Sequence, residues 1–415
     1  MKTILVVVDS INQEDSSGSK CNVALIINLV KAGYNVKVYH HSRKNIQIEG
    51  ANCVKINVDK FNYVYIFGGA LRFLTHKFNI ITTPFIEKKI GFSPAFLSDV
   101  HDFTKALKKD TFNPDLVITL SKAASFRPHK ALLNIKKWHH KWLAYVHDPF
   151  PFHFYPSPYS FTVPSYKHKE KFLFDIANNA AYSGFPSLLL KEWMGKFAPN
   201  FLKTGVVIPH QLVEMNIEKL QLPDFFNPNK FSLLHAGSLL GERNPVGLIE
   251  GFFKFLESNP DAKETTQLIL IGSTSEKHYH VFEKHKSNEN NIVIIPKNLP
   301  FDTVYQLQYS VSVNIILEAK SDISPFLPGK FPHCVAANKK MLLLGPENSE
   351  TKRLLGEDYE YWTEIDNLDA ISKLIEKLYF EWKANPNEMK LNKPELLGYL
   401  GVKNLRKVVD TIINE

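Results

Sequence analysis

The chain has 415 residues, a length that suits two to four domains and excludes a single small binding module. Hydrophobic residues make up 44% and charged residues 22%, an ordinary globular balance that excludes a disordered chain. Lys and Arg number 50 against 42 Asp and Glu, and the net charge of +8 favours anionic partners such as phosphates, nucleic acid or an acidic membrane face.

From the N-terminus, Thr3 to Val8 predicts a buried strand, Asn22 to Lys31 an amphipathic helix and Asn35 to Tyr39 the next strand, with Gly33 placed where a helix end wants a positive φ. The run Met1 to Val8 meets Asp9 too early for a signal-peptide core. No later run reaches the roughly 18 apolar residues of a membrane helix, so membrane contact is expected to be peripheral. Further short strands are predicted at Tyr63 to Phe67, Leu116 to Leu120, Trp142 to Val146 and Val206 to Ile208. After a polar, proline-punctuated stretch, Gln221 to Lys230, the rhythm restarts with strands at Phe231 to Ala236, Gln267 to Ile271, Asn291 to Ile295, Val311 to Leu317 and Met341 to Leu344. Tyr399 to Ile413 has helical apolar spacing. The expectation is two α/β domains with parallel sheets facing across a cleft: residues 1–208, residues 209–398, and a terminal helix over 399–415 that can pack on either domain.

Cys21, Cys53 and Cys334 lie far apart without a Cys-x-x-Cys spacing, so neither a zinc site nor a disulfide framework is expected, and a reducing, cytoplasmic compartment is. The basic residues are spread rather than gathered with aromatic stripes, so no nucleic-acid partner is expected despite the net charge.

The strongest local signal is Phe231 to Ser258. A strand ends at Gly237, a short loop carries Glu242 and Arg243, and Asn244 and Pro245 suit a helix cap and first helical position. Amides at such a start form an anion site, and Arg243 adds a permanently charged fork. The alternative is a solvated first-turn charge. A second signal is Ile315 to Pro346, where a strand, a Ser/Pro/Gly-rich loop and a two-turn helix (Phe331 to Ala337) place Lys330 at a helix start and Asn338 at a left-handed C-cap. Pro325 and Pro328 stiffen that loop. In the N-terminal half, Trp142 to Tyr155 reads as a strand ending in His147-Asp148, followed by prolines and aromatics, and the carboxylate neighbour can orient the histidine. The loop Asp9 to Lys20 offers Ser17, Gly18 and Ser19 to hydroxylated or phosphorylated ligands, and a solvated turn is the competing reading.

With these motifs the chain resembles the GT-B fold glycosyltransferases, specifically the large retaining family 4. Gly237 matches the family's loop glycine, Ser238 stands where its first arginine is usual, and Arg243 takes the place of its lysine. The stretch His333 to Lys339 matches the segment that begins at the second glutamate of the family's Glu-x7-Glu loop. His333 thus replaces that glutamate and Pro325 the first one, while Lys330 fits a Pro-Gly-Lys variant of the loop. A neutral imidazole accepts one hydrogen bond where a carboxylate accepts two from the ribose hydroxyls.

The resemblance implies a metal-independent enzyme with no cofactor, moving a sugar from a nucleotide diphosphate sugar to a glycan, lipid-linked or small-molecule acceptor. It implies donor binding by Gly237, Ser238, Arg243, Phe326, Leu327, Gly329, Lys330 and His333, and catalysis by His147, Asp148, Arg243 and Lys330. It also implies an acceptor side near Ser17, Gly18 and Ser19. The basic charge and N-terminal aromatics suit either a soluble cytoplasmic location or peripheral association with the inner membrane face. Glu318 lies near the same loop without a spacing that fixes its role. A catalytically silent, glycosyltransferase-like binding or scaffold subunit is the alternative that Ser238 and His333 leave open.

Overall fold

A computed structural model describes residues 1–79, 83–214, 221–239, 241–285 and 291–415. Residues 215–220, just before the polar stretch Gln221 to Lys230, lie outside the described residues. The chain divides into two compact units, one of Met1–Tyr155, Ser160–Gln211 and Leu400–Glu415, the other of Pro156–Tyr159 and Leu212–Tyr399. The division falls at Gln211/Leu212 rather than at 208/209, and the last sixteen residues return to the first unit.

The first unit holds β1 (Thr3–Val8), β2 (Asn35–His40), β3 (Ala51–Lys55), β4 (Leu116–Leu120), β5 (Trp142–Tyr145), β6 (Tyr182–Phe185) and β7 (Gly205–Val207). Its helices are α1 (Ser17–Lys31), α2 (Tyr63–Phe78), α3 (Thr83–Ile90), α4 (Pro94–Lys109), α5 (Arg127–Leu133), α6 (Tyr166–Asn179), α7 (Leu188–Gly195) and α8 (Asn200–Thr204). The strands form one parallel sheet in the order β3-β2-β1-β4-β5-β6-β7. Alternation along β1 feeds a core on each face: Leu5 and Val7 join one, Ile4, Val6 and Val8 the other.

The second unit holds β8 (Phe231–Ala236), β9 (Thr266–Ile271), β10 (Ile292–Ile295), β11 (Val313–Leu317), β12 (Lys340–Leu344) and β13 (Trp362–Thr363) in the parallel order β10-β9-β8-β11-β12-β13. Its helices are α9 (Val246–Ser258), α10 (Tyr279–His285), α11 (Phe301–Ser310), α12 (Phe331–Ala336), α13 (Glu350–Leu355), α14 (Leu368–Ala384) and α15 (Pro394–Leu400, whose last residue falls in the first unit). The final helix, α16 (Val402–Asn414), belongs to the first unit, where Leu405, Val409 and Ile412 complete the core beside α1.

The expected strand Tyr63 to Phe67 is instead the start of α2. Alternating aromatic and β-branched residues favour extended chain locally. The Asn62 side chain, however, accepts from the Val64 amide, and Gly68 seats the helix close to Pro94 of α4. The helix α1 likewise begins at Ser17, not Asn22, because Ser16 caps it by accepting from the Ser19 amide at 3.1 Å. Gly33 and Asn338 adopt the positive φ expected of them, +92° and +49°.

In each sheet the connections reverse direction at one place, between β1 and β4 and between β8 and β11. Parallel α/β sheets bind ligands at such reversals, outside the carboxyl ends of the strands.

Candidate functional site

In the second unit, β8 pairs with β9 over its whole length but with β11 only at Leu233 and Leu234. The two central strands therefore part at their carboxyl ends. Lys330 fills the opening: its Nζ donates to the Ile315 carbonyl at 3.0 Å and lies 3.0 Å from Nδ1 of His235. Burial lowers the Lys330 ammonium to about 7, with Arg243 pushing the same way and Glu318 opposing. His235, buried beside two cations, is held well below the usual histidine range, so it is the neutral acceptor that Lys330 requires. Among the described residues, two of the three ammonium donors are thereby engaged and one remains. Gly237 keeps that face open, since a Cβ there would lie 3.4 Å from the Lys330 nitrogen.

Beside this lysine stands Glu318, one residue beyond β11. It is buried, and burial raises its carboxyl to about 7 against the opposing pull of the Thr351 hydroxyl, which donates to Oε1 at 2.7 Å, and of Arg243. Arg243 is half-buried and interacts with the Tyr159 hydroxyl. Its charge reaches Glu318, His235 and Lys330 alike. The segment from Ser324 to Lys330 is tied at its start: Ser324 donates its amide to Asn348, and Glu350 donates back to Ser324. Arg243, Lys330, Glu318 and His235 thus form one electrostatic neighbourhood at the strand reversal.

The remaining expected donor residues divide. Gly237 and Ser238 follow β8, and the Gly237 amide is spent on Ile271, so it is not free for an anion. Phe326 meets Tyr159 edge-on at 5.9 Å, and Gly329 is half-buried next to Lys330. Leu327 is buried and serves packing. His333 lies on α12 against Phe301 and Tyr305 of α11, with ring centroids at 5.2 and 5.4 Å. The helix α9 starts at Val246, one residue later than expected, with Asn244 Oδ1 still accepting the Val246 amide. His235 and Thr351 went unnoticed in the sequence. His235 offers no motif, but a histidine inside a fully buried strand is itself a signal.

In the first unit, His147 lies just beyond β5 and is buried. Its ring is oriented by Asn22 and His210 rather than by Asp148. Nε2 lies 2.6 Å from Asn22 Oδ1, and Nδ1 lies 3.3 Å from His210 Nε2. Asn22 gives its amide nitrogen to the Ser121 carbonyl, so Nε2 of His147 is the donor and Nδ1 the acceptor. Burial and the neighbouring histidines hold the ring well below the usual range, hence neutral. Asp148 turns toward Cys21 and Tyr155, whose acidities burial weakens and the Asp148 charge weakens further. Ser17, Gly18 and Ser19 form the first turn of α1 rather than a loop, because the Ser16 cap starts the helix early. Ser19 is fully buried there, and a Cβ at Gly18 would fall 3.1 Å from Lys122 Cγ. Among the described residues, His41, Asp99 and Asp102 form a group with ligand atoms within 4.8 Å of one another. Arg127 already neutralises Asp99 through Nε at 2.8 Å.

No family model matches the chain, and no curated protein matches it in sequence. Solved structures do. A UDP-forming α,α-trehalose-phosphate synthase from Burkholderia xenovorans, in complex with glucose-6-phosphate, is 11% identical with a TM-score of 0.63, covering 100% of both chains. An E. coli structure, trehalose-6-phosphate bound with UDP-2-fluoro glucose, is 12% identical with a TM-score of 0.60, covering 100% of this chain and 99% of its own. A glycosyltransferase from Rickettsia africae is 14% identical with a TM-score of 0.60, covering 99% and 97%. The fold is that of the GT-B glycosyltransferases. At these identities the likeness is one of architecture, over the full length of both chains.

Proposed function

We propose that this chain is a glycosyltransferase that moves a sugar from a nucleotide diphosphate sugar to a glycan, lipid-linked or small-molecule acceptor. The observation that carries the reading is Lys330, inserted between the parted ends of β8 and β11 with one donor unspent and Arg243 in the same field. Breaking the bond between the anomeric carbon and the diphosphate leaves the bonding pair on a β-phosphate oxygen. Two cations fixed beforehand at that point stabilise the developing charge without reorganising. They supply the countercharge that the leaving group needs, so the proposed reaction uses no metal and no resident cofactor. Retention at the anomeric carbon is proposed with it, on the family 4 resemblance.

Arg243 and Lys330 hold the diphosphate. Glu318, with a carboxyl near 7 and Arg243 close by, is placed to accept a hydrogen bond from a donor hydroxyl. His147 and Asp148 are proposed as polar residues of the sugar side. For His147 this requires Nδ1 to exchange its His210 bond for a sugar hydroxyl. Neighbours that hold a UDP-sugar analogue and a sugar phosphate support the same substrate class. Cys21, Cys53 and Cys334 are free and buried, which supports a cytoplasmic location.

The test is a screen of UDP-, GDP- and ADP-sugars by product mass spectrometry with calorimetric binding. Lys330→Ala and Arg243→Ala are each expected to weaken nucleotide diphosphate binding by about 10- to 100-fold, the worth of one charge-assisted hydrogen bond. Turnover undiminished in both variants would remove the assignment. The packing of His333 against the α11 aromatics is what favours the silent-subunit reading. No binding of any donor by the unaltered chain would establish it.

A further inference from the structure

On α2 the usual relation between pattern and burial is reversed. Tyr63, Ile66, Phe67, Ala70, Phe73, Leu74 and Phe78 recur at three- and four-residue intervals, the spacing of a helix face that normally enters a core. Here that face is outside. Tyr63 is 79% exposed, Phe73 59%, Ile66 58%, Phe78 55% and Phe67 52%, whereas the inward side is set by Gly68 against Pro94. Phe61, just before the helix, is 93% exposed, and on α3 Phe85 and Ile90 are 63% and 49% exposed. Exposed large apolar side chains are common singly, but a continuous stripe of them marks a surface that something covers.

The charges select the occupant. Residues 60–86 contain no Asp or Glu but carry Lys60, Arg72 and Lys77, and Lys88 and Lys89 follow the single acid Glu87. All five cations are exposed. Lys77 stands over the rings of Phe73 and Phe78 at 5.4 and 5.5 Å, and Lys89 over Phe85 at 4.8 Å, so the cations border the apolar stripe instead of occupying an opposite face. A second copy meeting this face about a two-fold axis would bring like charges together, and the chain as a whole is already at +8. A bilayer rich in anionic lipid offers both needs: acyl chains for the rings and negative headgroups for the lysines.

We infer that α2 docks this protein on an anionic membrane surface, its apolar stripe lying in the headgroup boundary. The inference rests on this surface alone and is independent of the donor site.

The experiment is flotation of the full chain with vesicles of phosphatidylcholine, with and without phosphatidylglycerol, over a salt series. Binding is expected to the anionic vesicles, to fall with salt, and to be at least tenfold weaker on neutral ones. Phe67→Asp/Phe73→Asp should abolish it, and Lys77→Glu should weaken it by more than about fivefold, the factor for one juxtamembrane cation. Both variants change exposed side chains and should melt at the temperature of the parent. Failure of the parent chain to float, or equal binding to both vesicle types, overturns the inference. So does a concentration-dependent dimer in sedimentation that the double variant dissociates, because the stripe would then be a self-association face. Donor binding is measured alongside and should be the same in parent and variants, which separates failure here from failure of the glycosyltransferase reading.

Discussion

Lys330 shows how a backbone feature sets a side chain's acidity. Where β8 and β11 part, the Ile315 carbonyl has no ladder partner from β8, and the lysine supplies the missing donor. The resulting burial leaves the ammonium near 7, so about half the free protein carries that charge at neutral pH. A bound diphosphate favours the charged form and raises this value. Binding at pH 8 should therefore take up close to one proton, whereas binding at pH 6 should take up almost none. Affinity should then decline as pH rises above 7. Calorimetry in two buffers of different ionisation enthalpy reads the uptake directly. Lys330→Arg, always charged, should remove the lysine's share and leave only what Glu318, whose carboxyl is also raised to about 7, takes up. Equal proton uptake at both pH values would show that the lysine does not meet the diphosphate.

At the scale of elements, the site depends on how closely the end of β12 passes the end of β11. Gly345, immediately after β12, leaves room for Glu318: a Cβ there would fall 2.9 Å from the Glu318 Cβ and 3.1 Å from Oε2. Gly345→Ala should push the carboxylate away from Thr351 and cost about 1–3 kcal/mol, the usual penalty of overpacking. A urea unfolding series measures it, and an unchanged midpoint would mean that the two loops relax apart freely. The same scale explains the misread elements. Tyr63 to Phe67 has the composition of a strand, and only the Asn62 cap and the seat of Gly68 against α4 decide for helix. The early start of α1 turns on one hydroxyl, that of Ser16.

For the whole molecule, the first unit is not complete until the chain ends. It runs from Met1 to Gln211 apart from Pro156–Tyr159, then closes only when Leu400–Glu415 returns and α16 seats Leu405, Val409 and Ile412 in the core shared with β1 and α1. Tyr34 on the loop after α1 fixes the register by donating to Asp410 at 2.6 Å. Val409→Asp should cost about 3 kcal/mol by placing an unpaired charge in that core. It should lower the melting transition of the first unit while leaving nucleotide binding by the second unchanged. Lost binding with unchanged melting would contradict this division.

Two parallel α/β sheets, most strand positions to within a residue or two, and the two loops bearing Arg243 and Lys330 are legible in the amino-acid order, because buried parallel strands and Gly/Pro-rich turns are local patterns. Contacts between distant segments could not be read from it. His235 became part of the site only because Lys330, ninety-five residues later, reaches into the split beside it. His147 found Asn22 and His210 instead of its neighbour Asp148. On α2, the same apolar spacing that buries a helix elsewhere was left facing outward. Periodicity states which side chains share a face; what that face meets is decided only when the rest of the chain has packed.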